Sequence, residues 1–259
     1  MLLPRVARIS LAPVKALALV HPDEVELGLD GARADRCFHL VDADGRMLNG
    51  KRCGPLVAVR PAYDPSGHEL RLTLPDGTEV AGRVALGEPV ETNFFGRPAM
   101  GRIVEGPWAA ALSELAGQPV TLVRPDVNGG AADRGHTVSL IGSASLADLA
   151  AQAGLDEPLD GRRFRMSIEV DGLPAYAEDA WVDRRVRLGS AVARVRGNVG
   201  RCAVTTHDPD RGVPDLDTLR LLAQHRADVP TTEPLPLGVW GEIVEPGVAR
   251  LGDPVELLD

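Results

Sequence analysis

The chain has 259 residues, enough to bury a sizeable core as one large domain or two smaller ones. With 44% hydrophobic and 25% charged residues it has the composition of an ordinary globular protein, which argues against disorder. A formal net charge of −9 argues against a nucleic-acid-binding surface, and no apolar run reaches the ~18 residues of a membrane span.

The N-terminal stretch MLLPRVARISLAPVKALALV is fairly apolar but is interrupted by Pro4, Arg5, Arg8, Pro13 and Lys15. A signal peptide needs an unbroken apolar core, so the segment reads as a first strand, over Val6–Leu11. Phe38–Val41 and Met47–Leu48 flank Asp44-Gly45, and Glu69–Leu74 and Thr78–Val84 flank Asp76-Gly77; both pairs predict hairpins. Gly106-Pro107 marks a boundary, followed by a short helix over Trp108–Leu115. Val120–Val123 and Val138–Ile141 read as strands. Ser145-Leu-Ala-Asp148 has the form of a capping box, opening a helix that runs to about Ala153 and ends at Gly154. Arg165–Val170, Ala191–Val195 and Arg201–Thr205 predict further strands. Pro214 introduces a helix with Leu216, Leu219 and Ala223 on its apolar face. The tail, residues 239–258, alternates apolar and polar positions between glycine turns, as a closing β-barrel does.

Several chemistries are absent from the sequence. There is no phosphate loop, no dinucleotide fingerprint, no nucleophile elbow, and no C-x-x-C or H-E-x-x-H for zinc. Lysine occurs only at Lys15 and Lys51, both in the strand-rich first part without the pattern of a pyridoxal-phosphate site. The three cysteines, Cys37, Cys53 and Cys202, are too few and too irregular for a disulfide framework, so a reducing cytoplasm is the expected location.

Cys202 stands out by its surroundings, GNVGRCAVTTHDPDRG (197–212). Gly197 and Gly200 let the backbone approach a ligand, and Asp208-Pro-Asp-Arg-Gly212 is a strong turn. A thiolate beside Arg201 is a soft ligand for a soft metal, or a carrier of sulfur. His207 would be its base in a thiolate–imidazole pair, which a strand-then-turn makes awkward. From these residues alone, a buried cysteine acting as a small hydrophobe remains the favoured reading.

Arg201-Cys-Ala-Val-Thr-Thr-His-Asp-Pro-Asp-Arg-Gly212 resembles the R-C-x-x-T-T-x-D-P-x-T-G signature of MOSC proteins. Other landmarks match in the same order. Phe164-Arg-Met-Ser-Ile168 is similar to F-R-P-N-I, Tyr176-Ala-Glu-Asp-Ala-Trp181 to Y-A-E-D-S-W, and Ala144–Leu149 to A-S-L-A-D-L. Gly252-Asp-Pro-Val255 fits the family's tail. Pro13-Val-Lys15 and Asp35-Arg36 resemble the N-terminal β-barrel domain that accompanies MOSC.

The resemblance implies a β-rich α+β fold: a MOSC β-barrel over residues 106–259, an N-terminal β-barrel-like domain over 1–105, and a few flanking helices. It implies a molybdenum cofactor with Cys202 as the protein ligand to the metal. Lys15, Arg36 and Arg165 would hold the phosphate and pterin, with Gly200 and Arg201 beside the metal ligand. The implied activity is reduction of N-hydroxylated or N-oxygenated small molecules, with electrons from a separate donor protein, since no C-x₄-C-x₂-C iron–sulfur motif is present. Three positions depart from the family pattern. Ala16 replaces a serine, Ser167 replaces an asparagine, and Arg134-Gly-His-Thr137 replaces Asp-x-Ser-Pro, with Asp133 one place early and His136 as the candidate catalytic substitute. The same residues also suit a sulfurtransferase carrying a Cys202 persulfide, or a non-catalytic carrier of the cofactor.

Overall fold

The computed structural model describes residues 3–94, 96–127, 136–231 and 233–258. The first strand, β1 (Arg5–Ile9), is followed by β2 (Glu24–Gly28) and β3 (Gly31–Ala32). The chain then builds a first unit from β4 (His39–Val41), β5 (Met47–Leu48), β6 (Arg60–Asp64), β7 (Glu69–Thr73), β8 (Glu79–Arg83), β9 (Ala85–Phe94), β10 (Arg97–Glu105) and β11 (Thr121–Pro125). These form a five-stranded sheet, β5-β4-β11-β10-β9, and a three-stranded sheet, β6-β7-β8. Both expected hairpins form, with Leu40 opposite Leu48 and Glu69 opposite Arg83. Phe38, Leu40, Leu56, Leu72, Trp108 and Leu122 are fully buried between the sheets, and burying each such side chain contributes about 1.5–3 kcal/mol. Helix α1 (Trp108–Ala116) closes this core, and the Trp108 indole N–H donates to the Leu70 carbonyl at 3.1 Å, which satisfies its one buried donor.

The rest of the chain adds β12 (Val138–Gly142), α2 (Ser143–Gln152), β13 (Ile168–Asp171), β14 (Arg185–Leu188), β15 (Ala191–Gly200), α3 (Thr218–His225), β16 (Pro236–Glu245), β17 (Gly247–Arg250) and β18 (Val255–Leu257). Seven strands form one sheet in the order β1-β13-β12-β16-β15-β14-β18. Its two ends meet: Val6 N–H donates to the Asp253 carbonyl at 2.9 Å and Val255 N–H to the Pro4 carbonyl at 2.8 Å. The sheet is therefore a nearly closed barrel, filled by inward residues such as Ile9, Leu140, Ile168, Val186, Val195 and Val239. Strands β17, β2 and β3 form a small sheet on its flank.

Four local expectations are corrected. Helix α2 starts at Ser143 with Gly142 as its cap, because the Ser145 hydroxyl donates to Glu178 instead of capping. Helix α3 starts at Thr218, capped by the Asp217 carboxylate, and buries Thr218 and Leu222 while Ala223 is exposed. Residues 165–167 are not strand: Gly161–Phe164 is a 3-10 turn and Arg165 is left-handed, with φ 53°. The expected strand over Arg201–Thr205 is absent too. β15 stops at Gly200, and Ala203–Thr206 is a 3-10 turn that begins at Cys202.

Candidate functional site

A cavity of about 250 Å³ lies where loops of the first unit meet loops at one end of the barrel. The first unit contributes Ala12, Lys15, Ala16, Arg36 and the 49–51 loop; the barrel contributes His136, Ser139, residues 163–167, 199–202 and Trp240. Cys202, His136, Lys15, Arg36, Arg165, Gly200 and Arg201 all line it, whereas His207, weighed as a base for the thiol, does not. Arg134 and Asp133, weighed with His136, lie outside the described residues.

Cys202 is free and exposed. Its carbonyl accepts from Thr205 N at 3.0 Å and from Thr205 Oγ1 at 3.1 Å. Thr205 Oγ1 in turn meets Thr218 Oγ1 at the start of α3, 2.7 Å away. The turn is thus anchored from behind, and the thiol is left at the cavity. Across the junction, Gly54 and Gly212 meet backbone to backbone, and a Cβ on either would overlap the other's carbonyl oxygen. Only glycine at both places lets the Asp208–Gly212 turn seat against the first unit.

The cations converge by different routes. Arg165 is held by its strained backbone, and its Nη2 donates to the Leu17 carbonyl at 2.8 Å. Burial, then the charge of Arg36, pushes its guanidinium down to about 10. Arg36 is also left-handed, φ 49°, and ion-pairs with Asp35, whose carboxylate accepts from Ala12 N at 2.6 Å. One carboxylate thus stands against two guanidiniums, leaving net positive charge. Lys15 Nζ sits 4.4 Å from the centre of the Phe94 ring. Behind it, His39 bonds Thr92 Oγ1 at 3.2 Å through Nε2 and packs edge-on to Phe94; burial, then Lys15, lowers its pKa to about 4. His39 Nδ1 is buried without a partner.

Two candidates are committed elsewhere. Arg201 is buried, and its guanidinium donates to the Leu237 carbonyl, to the Phe164 carbonyl at 2.9 Å and to Met166 Sδ at 3.0 Å. It ties the strand after Cys202's loop to the Phe164–Met166 segment, so it shapes the wall. Gly200's missing side chain makes room for Glu233 and Pro234, which a Cβ would approach at 3.0 and 3.1 Å. His136 stacks on the Trp240 indole, centroids 3.8 Å apart and planes 24° apart, which fixes its ring against one wall.

The Tyr176–Trp181 motif serves the framework. Glu178 is buried and accepts from Gly142 N at 3.1 Å and Ser145 Oγ at 2.8 Å, and Asp179 accepts from Asn198 at 2.7 Å and from Arg226 at 2.5 Å. Sequence reasoning missed Trp240, Ser139 and Lys51 as lining residues. For Lys51 there was a usable signal: it is one of only two lysines, and both line this cavity.

The MOSC N-terminal beta barrel domain family matches residues 3–113, and the MOSC domain family matches residues 125–256. Among curated proteins, the chain is 28% identical to mitochondrial amidoxime-reducing component 1 of Xenopus laevis, over 96% of this chain and 81% of that one. It is 27% identical to mitochondrial amidoxime reducing component 2 of Homo sapiens, over 96% and 82%. Among solved structures, the YUAD protein from Bacillus subtilis is similar with a TM-score of 0.46 at 10% identity, over 99% of this chain and 96% of that one.

Proposed function

The chain belongs to the MOSC domain family, and from that premise we propose that it is a molybdenum-cofactor-dependent reductase of N-hydroxylated or N-oxygenated small molecules. The observation that supports this reading is the convergence of one exposed thiol, Cys202, and three basic side chains, Lys15, Arg36 and Arg165, on one cavity. Relatives named for amidoxime reduction, similar along almost the whole chain, support the same reaction class.

The donor set fits the cofactor. Cys202 offers one soft thiolate donor at the cavity, which suits a metal that brings most of its own ligands. The partly buried Arg165 guanidinium, lining the cavity with Arg36 and Lys15, is matched by an anion such as a phosphate. In this reading Cys202 would ligate the metal, while Arg165, Arg36 and Lys15 would hold the phosphate and pterin. When bound, the cofactor would supply a two-electron redox centre beside the Cys202 thiol. Converting an N–OH compound to the amine consumes two electrons and two protons and releases water. His136, fixed on Trp240, would offer a ring N–H as proton donor to the departing oxygen. A separate donor protein supplies the electrons. The three free cysteines support a cytoplasmic location.

The test is to express the chain in a host that makes molybdenum cofactor and to measure metal per protein. Wild type should carry stoichiometric molybdenum and reduce a hydroxylamine with an artificial donor; Cys202→Ala should lose both. No metal in either protein would refute the reading. Sulfur labelling of Cys202 without molybdenum would establish a persulfide carrier instead, and metal without turnover a cofactor carrier.

A further inference from the structure

The chain contains two lysines, Lys15 and Lys51, and its other 26 basic residues are arginine. Both lysines line the cavity that holds Cys202. Arg36, Arg163, Arg165 and Arg201 line it as well, and among the described residues no aspartate or glutamate does. In a chain of net charge −9 this is a concentrated cationic lining, with Lys51 exposed to solvent.

The cations differ in what already occupies them. Arg163 pairs with the Asp215 carboxylate at 2.6 and 2.5 Å and donates to the His207 carbonyl at 2.7 Å. Arg201 is spent on the Leu237 and Phe164 carbonyls. Lys15, Arg36 and Arg165 are assigned above to the cofactor. Lys51 is left over: among the described residues its hydrogen bond is made by the backbone N–H, and its exposed side chain enters no ion pair.

Its backbone, by contrast, is firmly placed. Asn49 Oδ1 accepts from Lys51 N at 3.0 Å and from Arg52 N at 3.3 Å, and Arg52 is fastened to the Asp42 carboxylate at 2.5 Å and to the Met47 carbonyl at 3.1 Å. Gly50 faces the Val204 side chain, two residues beyond Cys202, and a Cβ there would come within 3.9 Å of it. The loop therefore presents an unpaired ammonium at the cavity wall, beside the turn that carries the thiol. A lysine is a compact charge on a flexible stem and accommodates anions without demanding one geometry.

We propose that Lys51 forms a second anion subsite at the cavity wall, beside the turn that carries Cys202. It selects N-oxygenated compounds that also carry a carboxylate or phosphate. The proposal rests on the reading of the cavity as a reductase site, and it names the class of compound that site prefers.

The test compares equilibrium binding of benzamidoxime, 4-carboxybenzamidoxime and 4-phosphonobenzamidoxime to the metal-loaded protein, read by tryptophan fluorescence, since Trp240 lines the cavity. Wild type should bind the charged probes roughly tenfold more tightly than the neutral one, as a charge-assisted contact provides. Added salt should narrow that ratio. Lys51→Ala should bring it near unity, Lys51→Arg should keep it, and Lys51→Glu should invert it. Comparison of the two charged probes tells carboxylate from phosphate. A wild-type ratio near unity, or a ratio unchanged in Lys51→Ala, overturns the proposal. So does a loss of molybdenum in Lys51→Ala with the ratio intact, because the lysine then serves the cofactor. If the ratio behaves as expected but none of the probes is reduced, the subsite stands and the reductase reading falls.

Discussion

His39 shows how far one side chain can reach. It is buried behind Lys15, and the folded protein holds it neutral, with a pKa of about 4 against 6.5 unfolded. A depressed histidine pKa means that the unfolded chain binds the extra proton. Stability from this residue is therefore complete above about pH 6.5 and drains away as pH falls toward 4. Urea unfolding near pH 5 should show a stability about 2 kcal/mol below that near pH 7.5 from this residue alone. His39→Leu, which cannot titrate, should flatten that slope; an unchanged slope would remove His39 as its source. At this scale the sequence was informative where a motif carried the residue. Cys202, Lys15, Arg36 and Arg165 came from matched motifs and share one cavity. His39, Trp240 and Lys51 had no motif, because what matters about them is who stands next to them in space.

Among elements, the short turn Ala177–Trp181 is held by its acids. Glu178 receives Gly142 N and the Ser145 hydroxyl, so it fastens the start of α2 to a turn 33 residues further on. Burial raises the pKa of this carboxyl, and its partners favour the charged form. Glu178→Gln keeps the shape but turns an amide N–H₂ toward donors. Thermal or urea unfolding should record a loss of about 1–3 kcal/mol, the cost of a buried group left without its partner. A change under half a kcal/mol would show that water replaces the carboxylate. The same contact explains why the helix start was misread. Ser145-x-x-Asp148 satisfies a local capping rule, but a distant carboxylate claims the hydroxyl. Likewise the apolar run around Arg165 and Cys202 looked like strand because strand propensity is a local average. Both segments are instead bent, one through a left-handed arginine and one through a 3-10 turn, by groups that only the folded chain brings near. The hairpins at Asp44-Gly45 and Asp76-Gly77 were legible because two turn residues carry their whole instruction.

For the whole molecule, the order of the chain and the order of the sheets differ. Strand β1 is an edge of the barrel, and β2 pairs with β17 near the C-terminus, while the residues between them and β4 include Lys15 and Arg36. A piece spanning residues 106–259 keeps the Cys202 loop but lacks β1, which pairs with β13 and meets Pro254. Expressed alone it should be poorly folded, with sparse amide dispersion by NMR, and adding residues 1–12 as a separate peptide should improve it. A well-dispersed spectrum from 106–259 alone would show that the barrel closes without its first strand. Barrel closure was readable from the alternating tail. That its last edge is supplied from the opposite end of the sequence was not, since pairing between distant strands leaves no local trace.

The distribution of lysine has one more consequence, for how this protein can be handled. With Lys15 and Lys51 as its only lysines, an amine-reactive reagent has few targets besides the chain's own terminus, and both side-chain targets face one cavity. The degree of acylation at each, read by peptide mass, becomes a two-channel occupancy meter: one channel reports the Phe94 side of the chamber, the other the loop beside the thiol. The molecule thus comes with a built-in labelling handle at the place where a ligand would cast its shadow.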